Sequence, residues 1–110
     1  MEWFTSEITI RSEQDPWTRE QRAAALSAIR VGLQSVWGEA PAEAEVAKLL
    51  EGALEFAKKY RPSCHGAAMP FEYRPGWGDD PSPEDFDEMA AKMRPECAAA
   101  GLVVTIDHYR

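Results

Sequence analysis

Residues 3–12, WFTSEITIRS, alternate: Phe4, Ser6, Ile8 and Ile10 fall on one side, and Trp3, Thr5, Glu7, Thr9 and Arg11 on the other. A period of two, carried by β-branched and aromatic residues, predicts a half-buried strand. Residues 102–109, LVVTIDHY, repeat the pattern, with Leu102, Val104 and Ile106 opposite Val103, Thr105 and Tyr109. A chain that starts and ends on such strands can pair them, which would secure both termini. The expectation is that these two strands form the centre of a small sheet.

The segment between them reads as helical. After a break at 13–16, Thr18-Arg19-Glu20-Gln21 fits a capping box, and Trp17 is placed to staple onto a later apolar residue. Ala25, Ile29, Leu33 and Val36 recur at helical spacing, Leu26 and Trp37 widen the stripe, and Gly38 supplies the stop. A second helix is expected from Pro41, with a broad buried face of Val46, Leu49, Leu50, Ala53, Leu54, Ala57 and Tyr60. Gly52 inside it predicts close approach of the first helix, the two forming a hairpin.

RPSCHGAAMP, 61–70, reads as irregular. PFEYR, 70–74, reads as a short third strand that its prolines confine to an edge. Ser82 and Pro83 open a third helix with Phe86, Met89, Ala90 and Met93 inward, and Pro95 is expected to end or kink it. The order is β-α-α-(β)-α-β. It predicts one α+β domain over 1–110, a small mainly antiparallel sheet packed against about three helices.

Net charge is −7, but six acids lie within ten residues: Asp79, Asp80, Glu84, Asp85, Asp87 and Glu88. The remainder holds 13 acids against 12 bases, so this is a balanced chain with one acidic insert. That balance disfavours direct binding to nucleic acid or to an anionic membrane, both of which want clustered Lys and Arg. The start, Met1-Glu2-Trp3-Phe4, lacks the basic and apolar runs of an export signal, which predicts a cytoplasmic protein with reduced Cys64 and Cys97.

The usual chemistry-bearing patterns are missing. Cys64, His65, Cys97 and His108 could in principle hold zinc, but no C-x-x-C or H-x-x-x-H spacing supports it. No Gly-rich phosphate loop, nucleophile elbow or EF-hand loop is present, and no cofactor is expected.

The acidic insert follows Gly76-Trp77-Gly78. Helix capping and the helix dipole account for much of its charge. They do not account for Trp77, which is either tucked onto the core, the commoner fate of tryptophan, or held out to a partner. The expected function is a small acidic, non-enzymatic module that binds a protein with a basic surface. Trp77 would anchor it, and the six acids would steer the partner. An inhibitor of a nucleic-acid-binding protein, of the immunity or phage anti-defence kind, has that size and charge. The alternatives are a small enzyme or ligand-binding domain built on the Cys64-His65 loop, and a homodimer formed through the second helix.

Overall fold

The computed structural model describes residues 3–13 and 16–110. Met1 and Glu2, and Gln14 and Asp15 within the expected break, lie outside the described residues. Three antiparallel strands form one sheet in the order β2-β1-β3: β1 is Phe4–Arg11, β2 Ala67–Tyr73 and β3 Val103–Tyr109. Three helices complete the α+β domain: α1 (Arg19–Trp37), α2 (Glu43–Tyr60) and α3 (Pro83–Ala98). None is long and apolar enough to cross a membrane.

The first and last strands pair as expected, but β1 alone is central and β3 is an edge. The third strand is also an edge, yet it begins at Ala67, three residues before the expected start. Pro70 sits within it opposite Glu7. An edge strand has a free side on which the missing N–H costs no ladder bond. The strand therefore claims Ala67, Ala68 and Met69 from the segment read as irregular, burying all three.

The α1 start follows the sequence closely. Thr18 Oγ1 accepts from Gln21 N at 3.1 Å and Gln21 Oε1 accepts from Thr18 N at 3.0 Å, closing the capping box. Gly38 ends the helix in the left-handed region, donating to Gln34 O at 2.8 Å. Trp17 packs on the core, and its indole N–H donates to His65 O at 2.8 Å, tying the entry of α1 to the loop before β2.

Helix pairing differs from expectation. The close partner of α1 is α3, and α2 leans mainly on β2. Gly52 has open space where a Cβ would stand, so it marks no close approach. The helical glycine that does is Gly32 of α1, where a Cβ would come within 2.8 Å of Met89 Cγ and 3.0 Å of Met93 Cγ on α3. The α2 helix starts at Glu43, leaving Pro41 outside it, and its Tyr60 is exposed rather than buried. Pro95 lies inside α3, which runs on to Ala98.

Ile8, Ile10, Met69 and Val104 of the sheet meet Ile29 of α1 and Phe86, Met89 and Met93 of α3 in the main core. Ala57, Cys64 and Ala68 form a smaller cluster beneath Phe56 on the other side of β2.

Candidate functional site

The register brings five element ends together at one pole. The start of β1 lies beside the ends of β2 and β3, since Phe4 pairs with Tyr73 and Thr5 with Tyr109. The C-terminus of α1 and the N-terminus of α3 arrive there through aromatic packing. Trp37 lies 6.0 Å from both Phe71 and Phe86, and Phe86 lies 4.8 Å from Tyr73. Three of the four tryptophans, Trp3, Trp37 and Trp77, stand at this pole, each about half exposed.

Trp77 is therefore held out, not tucked in as most tryptophans are. The two glycines beside it make that placement cheap. Trp77 N donates to Arg74 O and Asp80 N to Trp77 O, at 3.1 and 3.0 Å, which makes two successive turns. Gly76 and Gly78 take φ of +79° and +57° in those turns, a region that L side chains rarely enter. Beneath the indole, the Arg74 guanidinium lies 4.3 Å from the Trp3 ring and 6.0 Å from the Trp77 ring. A cation over the face of an indole is attracted to its π-electrons. Arg74 Nε is buried without a hydrogen-bond partner among the described residues.

The six acids divide into two groups. Asp80 Oδ2 accepts from Arg74 N at 3.0 Å and locks the tryptophan turns. Asp85 Oδ2 accepts from Ser82 N at 2.8 Å at the head of α3. Glu88 pairs with Lys92 at 3.2 Å, one helical turn on. Asp87 Oδ1 lies 2.7 Å from His108 Nε2. Asp79 and Glu84 make no hydrogen bond or ion pair among the described residues. Four carboxylates thus have structural partners, while Asp79 and Glu84 are exposed to solvent.

The Asp87 contact opens a chain that sequence spacing does not reveal. His108 Nδ1 lies 2.7 Å from Ser6 Oγ, which lies 2.6 Å from the Tyr73 hydroxyl. With a neutral ring every group can be satisfied. Tyr73 donates to Ser6, Ser6 to His108 Nδ1, and His108 Nε2–H to the Asp87 carboxylate. Serine, histidine and aspartate in sequence suggest nucleophilic catalysis. Here Ser6 is 0% exposed and the carboxylate is the member at the surface. No substrate reaches the hydroxyl, so the chain is a structural tie between β1, β2, β3 and α3.

A second network occupies the opposite face of β1. Glu7, 3% exposed, accepts from Arg61 Nε at 2.9 Å, Arg61 NH2 at 3.1 Å and the Tyr109 hydroxyl at 2.9 Å. Its carboxylate raises the Arg61 pKa above the ordinary value through that hydrogen bond and its charge. Burial, reinforced by Glu7, raises the Tyr109 phenol.

Cys64 and His65 share no side-chain hydrogen bond among the described residues. Cys64 packs in the small cluster with Ala57, Ala68 and Phe56. His65 takes a left-handed φ of +51° at the turn into β2, with clefts of about 300 and 710 Å³ on its two sides. Cys97 lies in the main core, where burial pushes its thiol up to about 11, the opposite of activation. His108 is committed to Ser6 and Asp87. The described residues contain no group of three or more His, Cys, Asp or Glu able to hold a metal ion.

Comparison with protein-family models, curated proteins and solved structures finds no match to this chain.

Proposed function

We propose that this chain is a small non-enzymatic protein-binding module whose contact surface is the tryptophan pole. The observation that carries the reading is the gathering of three half-exposed indoles at one end of the molecule, next to the acidic insert. Tryptophan and arginine are the residues most enriched at binding hot spots, and the turns around Trp77 hold the indole in place before any partner arrives. Asp79 and Glu84 supply charge with no structural duty, and the other four acids add to the same negative field. That field steers a basic protein surface toward the pole, which includes the surfaces of nucleic-acid-binding proteins. Inhibition of such a partner is the biological role that fits a compact acidic module.

The test uses a variant that spares the fold: Trp77→Ala with Asp79→Asn and Glu84→Gln. Asp80 and Asp87 are left alone because they hold Arg74 N and His108. After its circular dichroism is matched to wild type, both proteins are used to capture partners from lysate of the source organism, with identification by mass spectrometry. A protein held by wild type, lost by the variant and released as salt is raised supports the reading. Equal capture by both proteins sinks it.

A further inference from the structure

We infer that β3 is a dimerisation edge, pairing antiparallel with β3 of a second copy of this chain about a two-fold axis through Ile106. The two edges of the sheet are treated differently. The β2 edge carries Pro70, and one helix packs against each edge strand, α2 on β2 and α3 on β3. The β3 edge has seven residues, no proline and one charge, Asp107. Edge strands are normally protected by prolines, charges or a covering element, because their unpaired N–H and C=O groups invite another strand.

The side chains suit a self-pairing. Val103, 58% exposed, and Tyr109, 43% exposed, alternate onto the same face of β3 at its two ends. Centring the axis on Ile106 sets Val103 opposite Tyr109 of the second copy, and does so twice. It also sets Thr105 opposite Asp107 and Ile106 opposite itself. Shifting the centre to Asp107 brings two carboxylates face to face, which is destabilising. Shifting it to Thr105 leaves Tyr109 opposite Gly101, outside the strand.

Nothing on the strand blocks this register. The His108 ring is turned to Ser6 and Asp87 on the helix-covered face. Arg94 Nε donates to Val104 O at 3.2 Å, which leaves that carbonyl a second lone pair. The product is a six-stranded sheet, β2-β1-β3-β3-β1-β2, with the helices of both copies on one side. One strand pair buries less than the ~1,200 Å² of a standard stable interface, so the dimer forms as concentration rises. Each copy carries −7, so added salt strengthens it by screening.

Sedimentation equilibrium over a concentration series is expected to show the mass rising from one chain to two. Val103→Asp changes an exposed residue, is met twice across the axis and is expected to weaken the dimer about tenfold. Register is read by mixing Thr105→Cys with Asp107→Cys under mild oxidation. Opposed positions lie about 5 Å apart, within disulfide reach, whereas each variant alone offers only a diagonal of about 7–8 Å. Rapid cross-linking in the mixture alone supports the register. A single-chain mass at every concentration overturns the proposal and leaves the edge to a strand of another protein. Cross-linking as fast in either variant alone as in the mixture overturns it too.

Discussion

Ser6 and Glu7 are neighbours on β1, both almost inaccessible to solvent, and they face opposite sides of the sheet. Ser6 belongs to a chain of hydrogen bonds that ends at an ion at the surface, Asp87. Glu7 is itself the buried charge, and its principal partner, Arg61, is 44% exposed. The two sites solve the same problem, a polar group removed from water, under different conditions. Around Ser6 the Tyr73 hydroxyl is enclosed, so its lost bond finds no water to replace it, whereas the His108 ring is 31% exposed. Around Glu7 the covering guanidinium can move aside and admit solvent. The cost of breaking a buried polar network depends on whether water can replace the missing partner.

This comparison can be broken by experiment. Ser6→Ala is expected to have the largest effect. It strands the enclosed Tyr73 hydroxyl, and should lower stability by about 2 kcal/mol, read as a lower urea midpoint at unchanged slope. Glu7→Gln keeps an acceptor for Tyr109 but loses the charge-assisted bonds to Arg61, and should cost about 1 kcal/mol in the same assay. If Glu7→Gln costs more than Ser6→Ala, the account based on water access is wrong.

Alkaline pH sharpens the comparison with the smallest effect. Burial raises the pKa of Tyr73, Tyr109 and Cys97 above their ordinary values of 10.0, 10.0 and 9.0. The folded protein holds these protons more tightly than the unfolded chain. Their contribution is therefore complete below pH 9 and is lost as pH rises through the folded values, about 11 for Cys97. Urea midpoints should be level to pH 9 and then decline, and Tyr73→Phe should make the decline shallower. A midpoint that rises above pH 9 would contradict the assignment.

The two proposed surfaces also differ in a measurable way. Binding at the tryptophan pole should weaken with salt, because it joins unlike charges. Association along β3 should strengthen, because it joins two like-charged chains.

Much of this molecule is readable along the chain, because it rests on local rules. Alternation fixes the faces of β1 and β3. Thr18, Gln21 and Gly38 bound α1, and Ser82, Pro83 and Asp85 open α3. These features involve residues within a few positions of one another, so composition and spacing express them directly. The α+β class follows from their order. What tertiary structure decided is which distant residues meet. Gly52 and Gly32 look alike in the sequence, and only the approach of Met89 and Met93 tells them apart. Asp87 and Glu84 are equivalent acids in the first turns of one helix, until the end of β3 brings His108 to one of them. Trp77 is turned outward by turns whose lock, Asp80 on Arg74 N, is local, while its neighbours Trp3 and Trp37 arrive from other elements. Local geometry follows from covalent chemistry and hydrogen bonds near in sequence. The site depends on contacts between residues distant in sequence, which form only when the whole core packs.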